Sequence, residues 1–97
     1  MEPRWLPARG WAAFYEVSDT GEVYSLPRAG TPGGLLDPQL NSAGYRQVAL
    51  SRYGRVSKVL VGVLVLETFT VPRPPGKRAR HGPGGKTDDS LPNLRWG

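Results

Sequence analysis

The longest apolar stretch in this chain runs only from Val59 to Leu66 and is interrupted by Gly62. Elsewhere glycine, proline and Asn/Asp/Ser turn residues cut the sequence into runs of a few residues, so only short strands and a short helix around a small core are open to it. Val59 to Leu66 is too short to span a bilayer. The opening residues, from Glu2 and Arg4 through Trp5 and Trp11 to Glu16, lack the basic start and apolar centre of a signal peptide. A cytoplasmic protein with no membrane partner is therefore expected. At 97 residues one domain of modest stability is expected. The lack of cysteine excludes disulfide frameworks and thiolate zinc sites.

Within those limits, Phe14 to Val17 and Glu22 to Tyr24 form a hairpin pattern around Ser18-Asp19-Thr20-Gly21, where Asp19 can bond its own backbone and Gly21 can take positive φ. Pro27 to Gly34 is a loop, and a turn over Gln39 to Gly44 leads into Tyr45 to Leu50. That run alternates, with Tyr45, Gln47 and Ala49 on one side and Arg46, Val48 and Leu50 on the other. Arg52-Tyr53-Gly54-Arg55 then turns the chain into Val56 to Val59, a second hairpin. Val59 to Phe69 is open between strand and helix. Its β-branched residues suit a strand, while Leu60, Val61, Leu64, Val65 and Phe69 cluster near one helical face. Pro72 to Lys86 is so rich in proline and glycine that it reads as a loop, after which Leu94 and Trp96 are apolar anchors for the tail.

Lys and Arg number 13 against 8 Asp and Glu, a formal charge of +5, and the sequence pI is near 10.1. Such a balance favours a polyanionic partner, and the excess is mostly arginine, whose planar fork suits phosphate oxygens and guanine edges. Arg46, Arg52, Arg55, Lys58, Lys77, Arg78 and Arg80 are the candidate contacts to duplex DNA. Side chains able to carry chemistry are few: His81, the Asp88-Asp89 pair and Asn93. A lone histidine in a Gly/Pro loop is usually only solvated. His81 stands out because Arg78 and Arg80 beside it can hold phosphates while an imidazole takes a proton from water near neutral pH. Asp88 and Asp89 are oxygen donors of the kind magnesium accepts, although adjacent acids in a polar loop more often cap or solvate.

Trp5-Leu6-Pro7, Tyr15-Glu16-Val17-Ser18, Gly21-Glu22-Val23 and Ser25-Leu26, followed by Leu40-Asn41-Ser42, Gly44-Tyr45 and Val48-Ala49-Leu50, are similar to the NUMOD-type DNA-binding motif that precedes HNH homing-type endonucleases. Val61 to Phe69 resembles the helix before the nuclease motif, and RHGPGGKTDDSLPNLRWG resembles the first part of that motif. The resemblance implies that His81 is the catalytic histidine and Asn93, twelve residues later, the asparagine that helps hold the active loop. It also implies a divalent ion such as magnesium, which stabilises charge on the phosphate and the leaving oxygen.

The chain departs from that pattern in three places. Gly62-Val63 stands where relatives usually carry His-Arg, which removes a polar anchor and weakens the helix. Arg80 and Pro83 occupy positions where relatives often carry acids, leaving the metal ligands unknown. The family pattern also continues past the tryptophan into a helix bearing the last ligand, whereas this sequence stops at Gly97, and truncation ranks first among the explanations.

The expected fold is α+β: small antiparallel β-hairpins, a short helix near Val61 to Phe69, and an incomplete ββα-metal motif. The expected organisation is a β-rich DNA-binding motif over 1–58 and a partial nuclease motif over 59–97 in one compact unit. The expected function is metal-dependent hydrolysis of DNA by an HNH-type endonuclease. Its main rival is a truncated, non-catalytic DNA-binding protein. A ribosome-associated or RNA-binding protein is a distant third, since no aromatic RNA-recognition motif is present.

Overall fold

A computed structural model describes residues 2–97. The first hairpin forms where the turn residues place it. Strand β2 (Tyr15–Ser18) pairs with β3 (Val23–Ser25), and β1 (Trp5–Pro7) and β4 (Gly34–Leu35) flank them in an antiparallel sheet of order β1-β2-β3-β4. The turn is secured differently from the expectation for Asp19. Ser18 Oγ accepts from the Glu22 amide at 3.0 Å, while Asp19 Oδ1 accepts from the Arg4 amide at 3.1 Å and so ties the start of the chain to the turn.

The second hairpin joins β6 (Arg46–Arg52) to β7 (Arg55–Leu60), with β5 (Gln39–Leu40) on the other edge of β6. Its two-residue loop has Tyr53 at φ 51° and Gly54 at φ 77°. Two successive left-handed residues match the right-handed twist of the flanking strands. The alternation read from sequence holds: Val48 and Leu50 are buried, and Arg46 lies on their side.

Between Val59 and Phe69 both elements occur in succession. Strand β7 ends at Leu60 and helix α1 covers Val61–Phe69. All residues from Val61 to Leu66 are buried, because the helix lies in the middle of the molecule, against β2, β6, β7 and β9 (Leu94–Trp96). A helix enclosed on every side shows no polar stripe, and periodicity then has nothing to report. Thr70 ends it by bonding the Leu66 carbonyl through its amide and its hydroxyl.

The Pro/Gly-rich segment is not entirely loop. Ala79–His81 forms β8, antiparallel to β9, with Ala79 opposite Trp96 and His81 opposite Leu94. Leu94 is buried in the core, and Trp96 Nε1 donates to the Val71 carbonyl at 3.1 Å, so both anchors dock the tail. With α1 and the hairpins this makes the α+β arrangement of antiparallel sheets and one helix expected from sequence. No helix among the described residues is long and apolar enough to cross a membrane.

The β2–β3 turn also bears on the C-terminal segment. The Leu91 amide donates to the Asp19 carbonyl at 2.7 Å. Gly21, at φ 90°, lies so close that an added Cβ would come within 3.0 Å of the Asp89 backbone. Gly21→Ala is expected to lower stability by about 1–3 kcal/mol through its positive φ alone, with the close approach adding to the loss. Chemical denaturation checks this, and an unchanged midpoint would show that the turn does not bear on the segment.

Candidate active site around His81

His81 sits at the end of β8, and its ring is held from behind. Nε2 lies 2.7 Å from Asp89 Oδ1, and the side chains are 10% and 2% exposed. The other Asp89 oxygen lies 3.1 Å from Arg46 Nη1, while Arg46 Nη2 donates to the Gly21 carbonyl at 3.2 Å. The Tyr45 ring is tilted 38° to the imidazole with centroids 5.3 Å apart. Lys86 Nζ lies 5.0 Å from the centre of the Tyr45 ring and donates to the Ala43 carbonyl at 2.9 Å. His81 Nδ1 is buried without a hydrogen-bond partner. A buried nitrogen in that condition is uncommon in folded proteins and calls for a reason.

Two recesses meet at this ring. One, of about 150 Å³, is lined by Tyr45, Gly62, Arg73, Arg78, His81 and Asp89, among others. The second, of about 290 Å³, includes Arg80, Gly85 and Lys86. Tyr45, Arg78, Ala79 and His81 belong to both. Arg78 and Arg80 are exposed on either side of Ala79, so the alternation of β8 turns their charge outward while His81 is kept in.

One side chain, Asn93, bonds three backbone groups of the loop from Gly82 to Asn93. Asn93 Oδ1 accepts from the Gly84 amide at 2.9 Å, and its Nδ2 donates to the carbonyls of Gly85 at 3.2 Å and Asp88 at 2.8 Å. Asp88 Oδ1 accepts from both the hydroxyl and the amide of Ser90, and these bonds hold its carboxyl below the usual carboxylate range. Because the pKa is lowered on folding, that contribution to stability is present above the ordinary range and is lost as pH falls through the lowered value.

The structure brings His81, Asn93, Lys77, Arg78 and Arg80 into one β8–loop–β9 unit. It places Arg52 and Arg55, both exposed, at the tip of the β6–β7 hairpin, at the opposite end of the strands from Tyr45 and Leu60, and exposed Lys58 in mid-strand opposite Ala49. Arg52 stacks 4.1 Å over Trp11 and bonds the Gly10 carbonyl. Arg46 is turned inward to Asp89 and Gly21. Sequence reasoning missed Tyr45, Arg73 and Lys86 as lining residues and the use of Asp89. One signal was available: alternation puts Arg46 on the face of Val48 and Leu50, where a guanidinium needs a carboxylate partner.

The donors present do not fit the divalent ion that the family resemblance implies. Asp89 spends its two oxygens on His81 and Arg46, and Asp88 Oδ1 takes both Ser90 donors. Among the described residues no three His, Cys or carboxylate side chains come together as a metal site.

Comparison with known proteins places this architecture. Residues 4–51 match the NUMOD4 motif. Over 92 residues the chain is 33% identical to the DNA endonuclease I-HmuI of Bacillus phage SP01, an alignment covering 95% of this chain and 51% of that protein. A solved structure concerned with DNA binding and cleavage by the HNH homing endonuclease I-HmuI superposes with a TM-score of 0.83 at 32% identity, over 97% of this chain and 52% of the other. The chain is homologous to an HNH homing endonuclease over most of its length and carries a NUMOD4 motif in its N-terminal half. It spans about half the length of the relative it matches.

Asn93→Ala is expected to loosen the loop, because three backbone groups lose their partner and each lost hydrogen bond costs about 0.5–1.5 kcal/mol. Amide exchange is expected to quicken at Gly84 and to stay unchanged in the β6–β7 hairpin. Equal protection of Gly84 in both forms would show that the asparagine does not order the loop.

Proposed function

We propose that this chain engages duplex DNA through its arginines and acts as an HNH-type endonuclease with His81 as the general base. The observation that supports this reading best is the place of the chain's one imidazole. Its ring forms the wall shared by two recesses flanked by Arg73, Arg78, Arg80 and Lys86, and its Nδ1 is uncommitted. A phosphate drawn to those cations comes beside a nitrogen able to accept a proton from water as the water oxygen attacks phosphorus. Hydrogen bonds that such a base makes often tighten only once substrate is in place. The homology to an HNH homing endonuclease supports the same chemistry.

In this reading Lys77, Arg78 and Arg80 hold the phosphates near His81, and Arg52, Arg55 and Lys58 hold the duplex farther out on the hairpin. Arg46 serves the site from behind, through Asp89. Asn93 keeps the loop beside His81 in shape. No step is assigned to a divalent ion, since the donors present do not form its site. That mismatch favours one second reading, a DNA-binding protein of the same family that does not cleave.

Binding to duplex DNA is expected to weaken steeply as salt is raised, and Arg78→Ala and Arg80→Ala are each expected to reduce the slope of log affinity against log salt by about 1. Affinity indifferent to salt would remove the phosphate contacts from the account.

Single-turnover cleavage at saturating DNA, with magnesium or with chelator, separates the two readings. His81→Ala is expected to slow cleavage by about a hundredfold to ten-thousandfold while leaving affinity nearly intact. A parental rate in His81→Ala would exclude the imidazole as base. Firm binding without cleavage in either medium would establish the second reading.

A further inference from the structure

The two ring nitrogens of the half-buried His81 have different surroundings. On its Nε2 side is Asp89, at 2.7 Å and 2% exposed. An ionised carboxylate only accepts hydrogen bonds, so at that distance Nε2 must carry the proton. Asp89 is in turn fixed by Arg46, which donates at 3.1 Å and has no acceptor to offer under any condition of interest. With Nε2 donating, the lone pair of the neutral ring lies on Nδ1, the atom that makes no hydrogen bond in this structure.

Gly62 makes the arrangement possible. A Cβ on this helix residue would lie 2.9 Å from Asp89 Oδ1, 3.3 Å from a Leu94 methyl and 3.4 Å from His81 Nε2. The first turn of α1 is bare just where the pair packs against it.

We propose that Asp89, clamped by Arg46 and admitted by Gly62, is a positioning residue that holds the neutral imidazole of His81 in its Nε2–H tautomer and so keeps Nδ1 as the proton-accepting atom. The mechanistic value of this lock rests on the reading of His81 as the base; the lock itself is testable without cleavage. It makes a directional prediction for Asp89→Asn. Arg46 is always a donor, so the new carboxamide turns its oxygen to Arg46 and its NH2 to His81. Nε2 must then accept, and the ring proton moves to Nδ1, where it occupies the lone pair the reaction needs.

The chain has a single histidine, so nitrogen NMR of 15N-labelled imidazole reports one ring without assignment. At a pH where the ring is neutral, the parent protein is expected to show a protonated Nε2 and an unprotonated Nδ1, and Asp89→Asn the reverse. Adding Arg46→Met to Asp89→Asn frees the carboxamide to turn its oxygen back, and the Nε2–H form is expected to return. A role in packing alone predicts neither the reversal nor the rescue. In whichever form cleaves, Asp89→Asn is expected to cost about ten-thousandfold in single-turnover rate at unchanged DNA affinity, the scale known for a base histidine left in the wrong tautomer.

A parent protein with its proton on Nδ1 overturns the proposal, and this measurement needs no variant to fold. Retention of Nε2–H in folded Asp89→Asn overturns it as well. Failure of Arg46→Met to restore Nε2–H removes Arg46 as the clamp and overturns the proposal in the form stated. If instead His81→Ala cleaves at the parental rate, the general-base reading fails, while the NMR result still decides whether Asp89 sets the tautomer.

Discussion

One apolar helix serves as the common core of three sheets, none of which has the area to bury a face by itself. Strands of two to seven residues leave little to pack against one another. Val61, Leu64, Val65 and Leu66 fill the space between them, joined by Val17 and Val23 from β2–β3, Val48 and Leu50 from β6, and Leu94 from β9. Hairpins this small are marginal in isolation. Their order comes from closing on α1, so the N-terminal sheet, the long hairpin and the β8–β9 pair are coupled through the same few side chains. The His81 loop therefore inherits its rigidity from the centre of the molecule, with Leu94 as the direct link.

That constraint also explains which parts of the fold were legible in the sequence. Hairpins announce themselves locally: Gly21 and Gly54 mark turns whose geometry requires left-handed backbone, and the β6 alternation assigns faces correctly. Periodicity alone does not announce the helix, because burial of Val61 to Leu66 erases the polar stripe it detects, and it was the family resemblance that placed a helix at Val61 to Phe69. Strand β8 was hidden for another reason. Ala79, Arg80 and His81 carry no strand propensity, and their extended conformation comes with the pairing to Leu94–Trp96.

The site divides along the same line. His81 and Asn93 were singled out through the family resemblance, which acts on residue order, and the structure places both in the β8–loop–β9 unit. Asp89 was legible only as a carboxylate, because its partners lie far away in sequence, at Arg46 and His81, and a loop of polar residues does not show which oxygen will be buried. The reading of Gly62 as a weakness in the helix is half the story. A helical glycine costs about 1 kcal/mol relative to alanine, and here that cost comes with the space in which Asp89 and His81 meet. The His-Arg expected at Gly62-Val63 and the carboxylate at Asp89 are therefore linked positions, for a side chain at 62 would collide with the pair.

An arginine–carboxylate–imidazole chain centred on a buried carboxylate is a poor means of gaining stability. Removing charges from water costs several kcal/mol per ion, and apolar residues of similar volume often serve a core as well or better. What such a chain provides is orientation. Arg46 spans from the β6 face to the Gly21 carbonyl, Asp89 takes one hydrogen bond from each side, and the imidazole is left with one nitrogen bound and one free. Each link restricts the next: a donor that cannot become an acceptor, then an acceptor that cannot donate while ionised, then a ring whose two nitrogens must differ when neutral. In the proposed reading the exposed Arg78 and Arg80 gather phosphate by charge and tolerate imprecise placement, because electrostatic attraction falls off slowly with distance. Proton transfer tolerates very little, so in the proposed reading a base at His81 requires the buried carboxylate behind it, while cations that meet phosphate can stay on exposed side chains.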